Sequence, residues 1–143
     1  PGQLIIYPII KLNNWQISPL DLVDLLENTT ISALKNLGIH AYNNIDARGV
    51  YISNQKVASI GLKVKNGFTY HGIAININLN LSPFDRIVAC GDPNMKMTNI
   101  SQHSPHYEFF KHHWINIFLD KLRIKSYYIE DQQGLRRTHA TSR

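Results

Sequence analysis

The sequence predicts an α/β (α+β) domain, a mixed sheet with packed helices. Three observations carry this prediction. The centre of the chain alternates apolar and polar residues around an Asn-Gly pair, Ser-Pro pairs at 18–19 and 104–105 mark helix starts on either side, and apolar residues recur at helical spacing after each pair. At 143 residues the chain has the length of one domain and needs neither disulfides nor a structural metal to bury a core. Hydrophobic residues make up 43% and charged residues 17%, which excludes general disorder. The single cysteine, Cys90, excludes an internal disulfide framework and a multi-cysteine zinc site. No apolar run approaches the ~18–20 residues of a membrane span. The chain opens Pro1-Gly2-Gln3, with no initiator Met and no leader pattern. It therefore reads as a processed or truncated segment of a soluble protein from a reducing compartment such as the cytoplasm.

Residues 4–10 read as a buried strand interrupted by Pro8. Ser18 caps a helix with Pro19 at its first position and Asp21 and Asp24 near its positive end. Leu20, Val23, Leu26, Ala33, Leu34 and Leu37 supply its apolar spacing, and Gly38 stops it. Residues 50–53 form a short strand and Asn54-Gln55 a turn. Residues 56–65 alternate, with Ile60, Leu62 and Val64 opposite Lys63 and Lys65. Asn66-Gly67 is a hairpin turn. Its partner strand runs from Phe68 to Leu81, with an isoleucine face and an asparagine face, and Ser82-Pro83 ends it. Residues 84–100 are irregular. A helix then follows Ser104-Pro105 to about Leu122, burying Phe110, Trp114, Ile117, Phe118 and the stem of Lys121. The polar stretch after Ile124 reads as a loosely ordered tail.

Charge is uneven. The net is +5, with two basic and four acidic residues in 1–47 and thirteen basic and six acidic in 48–143. Such a balance is either an ordinary solvated surface or a means of steering an acidic partner, a carrier protein or a nucleic acid. No Arg/Lys-rich block with interleaved aromatics supports specific nucleic-acid binding.

Cys90 is the candidate nucleophile. A lone cysteine is by default a small buried hydrophobe. This one lies in Val88-Ala89-Cys90-Gly91-Asp92, a non-periodic segment where catalytic groups concentrate, and Gly91 allows close approach to the sulfur. A thiol needs a nearby cation to become thiolate near neutral pH. Lys56, opening the central hairpin, is either that cation or a solvated strand-end lysine. His71 is either a proton shuttle or an ordinary strand residue. His103, His106, His112 and His113 lack a carboxylate or cysteine to complete a metal set, so no metal site is expected.

Pro1-Gly2-Gln3-Leu4 with Tyr7-Pro8, the run 56–62 (KVASIGL), the run 69–78 (TYHGIAININ), Leu81-Ser82-Pro83-Phe84, Arg86-Ile87 and Cys90-Gly91 occur in this order. Together they resemble the lipoyl(octanoyl) transferases, over residues 1–102. The resemblance implies the α/β catalytic fold shared with biotin protein ligases and lipoate–protein ligases. With the helix that ends near Leu122, a catalytic domain is expected over residues 1–125, followed by a polar basic tail over 126–143. It implies that an octanoyl group passes from octanoyl-acyl carrier protein, through a thioester on Cys90, to a lysine of the lipoyl domains of 2-oxoacid dehydrogenases or of the glycine cleavage H protein. Lys56 is implied to lower the thiol pKa. Ser59, Ile60, Gly61, Gly72, Ile73 and Ala74 are implied to bind the acyl chain, and His71 is a possible auxiliary.

Neither cofactor nor metal is expected, because the carrier thioester is already activated; neither nucleic acid nor membrane is an expected partner. The expected compartment is the bacterial cytoplasm, or the mitochondrial matrix in a eukaryote. The family's RGGxxTYH stretch precedes PGQ and this chain starts after it, so an incomplete N-terminal side and a partly open core are expected. Val88-Ala89 stands where the family usually has Asn-Pro. Two readings compete: an ATP-dependent lipoate or biotin protein ligase of the same fold, and an inactive fragment that only binds carrier proteins.

Overall fold

The computed structural model describes residues 1–86 and 94–132. Five strands form one sheet in the order β1-β5-β4-β3-β2: β1 (Gln3–Ile6), β2 (Tyr42–Asn43), β3 (Val50–Ile52), β4 (Gln55–Lys65) and β5 (Phe68–Asn76). Every pairing of these strands is antiparallel, and the parallel component of the sheet is the isolated bridge between Lys56 and Met97. The helices are the single turn α1 (Leu12–Trp15), the long α2 (Pro19–Asn36) and α3 (Phe110–Gln132). Leu22, Leu26, Ala33 and Leu34 of α2 join Phe110, Trp114 and Phe118 of α3 and Val50, Val57, Ala58, Ile73 and Ile75 of the sheet in one core. Trp114 Nε1 donates to Thr30 Oγ1 at 2.9 Å, so the largest buried side chain leaves no polar atom unpaired. No helix among the described residues is long and apolar enough to cross a membrane.

Ser18 caps α2 as expected, and Asp21 completes a capping box: Ser18 Oγ accepts from Asp21 N at 3.1 Å and Asp21 Oδ2 from Ser18 N at 2.8 Å. Gly38 follows the helix at φ +75°. The buried face is rotated from the predicted one. Leu20 is 55% exposed, while Leu22, Leu25, Glu27, Thr29 and Thr30 are buried. The reason is that the polar side chains on this face satisfy themselves. The Thr29 and Thr30 hydroxyls donate to the carbonyls of Leu25 and Leu26, four residues back, so the threonines pack as apolar residues.

The strand boundaries also move. β1 ends at Ile6, because Pro8 has no N–H to give; the next residues are instead held to β5 by Thr69, whose hydroxyl donates to Pro8 O and accepts from Ile10 N. The β3–β4 turn is Ser53-Asn54, both at positive φ, since Gln55 already pairs with Ile52. The Asn66-Gly67 turn forms where expected, also at positive φ.

β5 stops at Asn76 rather than Leu81, because the N–H groups of Ile77 and Asn78 both turn to Gly2 O. Asn76 is buried, not solvated: its amide accepts from Gln3 Nε2 and donates to Thr98 O. Ser104 accepts from His106 N, but α3 begins only at Phe110, after a 3₁₀ turn at Tyr107–Phe109, and it continues through Gln132 past the composition-based end.

Loss of the cap is measurable. Ser18→Ala removes one half of the box and lowers stability by about 1 kcal/mol, read as a lower urea midpoint at unchanged slope.

Candidate functional site

The middle of the β4–β5 ladder pairs small residues: Ser59 with Ala74 and Gly61 with Gly72. With so little side-chain volume, the sheet surface sinks into an open groove of about 290 Å³. All six predicted acyl-contacting positions, Ser59, Ile60, Gly61, Gly72, Ile73 and Ala74, line it. Three more line it: Ile5 and Tyr7 from the edge strand and the residue after it, and His71. Ile5 carries no motif and stands opposite Ala74 in the register of β1, while Tyr7 belongs to the Tyr7-Pro8 pair that follows the strand.

The two glycines serve different ends. A Cβ on Gly61 would meet nothing within 4 Å, so its bareness keeps the groove open. A Cβ on Gly72 would collide with Ile6 O and lie 2.7 Å from Pro8 Cδ, so its bareness lets β1 approach β5.

His71 is exposed and adopts φ +63° in mid-strand, a left-handed conformation that a strand residue holds only when its surroundings dictate it. Its ring meets Tyr7 edge-on at 5.8 Å and Tyr70 at 4.9 Å. It is a strand residue, paired with Leu62, that carries a left-handed backbone.

Lys56 lies on β4 three residues before Ser59 and is only 4% exposed, which rules out a solvated strand-end lysine. Its Nζ stands 5.8 Å from the centre of the Tyr51 ring. Its backbone is tied to a distant segment: Lys56 N donates to Lys96 O at 2.8 Å and Thr98 N donates to Lys56 O at 2.9 Å. Cys90 lies outside the described residues, as do Val88, Ala89 and Gly91.

Behind Lys56, the buried Glu27 of α2 was missed by the sequence reading. Its carboxylate accepts from Gly49 N at 3.0 Å, Arg48 Nη1 at 3.0 Å and Asn43 Nδ2 at 2.8 Å. Arg48 also donates to Asp24 at 2.8 Å; that bond first, and Glu27 after it, raise the guanidinium pKa above its ordinary value. A signal for this set was present, a glutamate at a core position of the helical repeat.

Among the described residues no three His, Cys, Asp or Glu side chains gather as a metal site. His103 Nε2 bonds Thr98 Oγ1 at 2.8 Å and His112 bonds Asn116 at 3.1 Å. The Thr98 hydroxyl spends its hydrogen on Gln102 Oε1, so His103 Nε2 is the donor to it.

The family described as the lipoyl protein ligase A/B catalytic domain matches residues 1–120. An octanoyltransferase of Buchnera aphidicola subsp. Acyrthosiphon pisum is 47% identical over 100 residues, covering 70% of this chain and 47% of that protein. An octanoyltransferase of Escherichia coli O139:H28 is 43% identical over 105 residues, covering 73% of this chain and 49% of that protein. The chain thus spans about half the length of these relatives. Among solved structures, a biotin protein ligase from Aquifex aeolicus superposes with a TM-score of 0.68 at 15% identity, over 94% of this chain and 60% of that one, a likeness of fold.

The two glycines separate in a stability measurement. Gly72→Ala forces β1 from β5 and costs about 1–3 kcal/mol, whereas Gly61→Ala changes the urea unfolding free energy by no more than about 0.5 kcal/mol.

Proposed function

Because the chain belongs to the lipoyl protein ligase A/B catalytic-domain family, we propose that it is the part of an octanoyltransferase that holds the acyl chain and performs both acyl transfers. The donor is octanoyl-acyl carrier protein and the acceptor is a lysine of a lipoyl domain. Cys90 thiolate attacks the carrier thioester; a carbon–sulfur bond to Cys90 forms, the bond to the carrier sulfur breaks, and the carrier leaves as a thiol after taking a proton. The acceptor amine then attacks the Cys90 thioester, a carbon–nitrogen bond forms, and Cys90 leaves as thiolate while the amine gives up its proton. Two acyl transfers of moderate difficulty replace one between two macromolecules.

The observation that carries this reading is the continuity of β4. Along one strand lie a buried ammonium at Lys56 and, from three residues on, an uncharged groove floored by Ser59, Gly61, Gly72 and Ala74. A straight saturated chain needs such a floor, and a thiol at its mouth needs such a cation to become thiolate. The tie between Lys56 and Lys96 supports pairing Lys56 with Cys90, since only five residues lie between Cys90 and Lys96, a reach of at most about 22 Å. His71 and Tyr7, on the groove wall, would contact the chain as auxiliaries. The names of the two relatives support octanoyl as the group transferred.

Intact mass spectrometry tests the proposal. Mixing the chain with octanoyl-acyl carrier protein yields an octanoyl adduct that hydroxylamine removes and Cys90→Ala abolishes. An adduct that forms only with ATP and free acid, or none at all, overturns it. In a second measurement, Lys56→Ala slows alkylation of Cys90 by iodoacetamide near neutral pH by roughly tenfold, through loss of thiolate; equal rates remove Lys56 from its role.

A further inference from the structure

Lys56 is seated by groups outside its own strand. A Cβ at Gly49 would collide with Lys56 Cε and lie 3.3 Å from Lys56 Nζ and 2.7 Å from Ala58 O. The lysine side chain thus fills the space that any side chain at 49 would need, and the Ala58 carbonyl, being backbone, cannot yield. Gly49 sits at φ +144°, where L-residues are strained. Its N–H is held by Glu27 Oε1, and Glu27 Oε2 takes Arg48 and Asn43. On the adjoining side the Tyr51 hydroxyl donates to Ala47 O at 2.6 Å, fixing the ring that faces the ammonium. One buried carboxylate on α2 therefore anchors Asn43, Arg48 and Gly49, and Gly49 lies against the lysine stem.

We infer that Glu27 and Gly49 are positioning residues for Lys56: Glu27 holds the Gly49 backbone at a spacing that only a bare Cα permits, and that spacing aims the Lys56 ammonium. The catalytic consequence rests on the thiol-activation reading above; the geometric claim does not. Without the seat, a stem with four methylenes spreads over many rotamers and its charge over a wide volume.

Two readouts keep the claims apart. The first is reductive methylation of the folded chain, followed by peptide mass spectrometry. In the wild type, Lys56 is modified at least about tenfold more slowly than the exposed Lys63 and Lys65, and Gly49→Ala brings it to within about threefold of them, with Lys63 and Lys65 and the combined Trp15 and Trp114 fluorescence unchanged. Glu27→Gln preserves shape but leaves one acceptor oxygen for three donors. It speeds Lys56 modification severalfold, and it decides the matter if Gly49→Ala does not fold. Lys56 protection unchanged in the folded variant overturns the inference.

The second readout is Cys90 alkylation in a double-mutant cycle. Gly49→Ala slows it in the wild-type background and not in Lys56→Met, because the effect passes through the ammonium. An equal slowing in both backgrounds makes Gly49 merely structural and overturns the inference. If Lys56→Met leaves alkylation unchanged, thiol activation fails as a reading, and the methylation result alone decides the seat.

Discussion

Eight consecutive cross-strand pairs, from Ala58–Ile75 to Lys65–Phe68, hold β4 and β5 in one register. Everything chemical here depends on that ladder. Strand side chains alternate between faces with a period of two, so a slip by one residue would exchange the small residues of the groove for their bulky neighbours. Ser59 would no longer face Ala74, nor Gly61 face Gly72. The tight Asn66-Gly67 turn fixes the register from one end, and the core contacts of Ala58, Ile73 and Ile75 fix it from the other.

Around this ladder the protein separates bulk from charge. Helices α2 and α3 cover the sheet with Leu, Phe and Trp, while the floor of the groove carries Ser, Gly and Ala. The buried charged residues among those described are Glu27 and Lys56. A carboxylate in such a place is costly unless its oxygens are filled. Glu27 meets that condition with three N–H donors, and it also fixes the path of the chain between the helix and β3.

Much of this was legible in the residues. Patterns enforced by local chemistry were read well: the Ser18 cap, the Gly38 stop and the Asn66-Gly67 turn. The groove followed from a family pattern and not from periodicity, since small residues announce space but not its purpose. The misreadings share one cause. Thr29, Thr30, Glu27 and Asn76 look like surface residues by composition, and each is buried because a specific partner satisfies it. Those partners come from elsewhere in the chain or from the preceding helical turn, so hydropathy alone misplaces the helix face and the strand end. His71 is a similar case: its backbone conformation is imposed by the fold, and no short sequence pattern marks it.

Asn99 has a consequence of a different kind. Its side chain accepts from Leu79 N at 2.9 Å and donates to Leu79 O at 2.8 Å, joining two points twenty residues apart. The excursion between them is drawn shut at its neck, as a purse is by its string, and its returning limb is stitched to Lys56. The entropic cost of closing such a loop grows only with the logarithm of its length. Added length within the excursion therefore costs the framework little. The chain between Leu79 and Asn99 can thus vary in length while Lys56 and the groove keep their places.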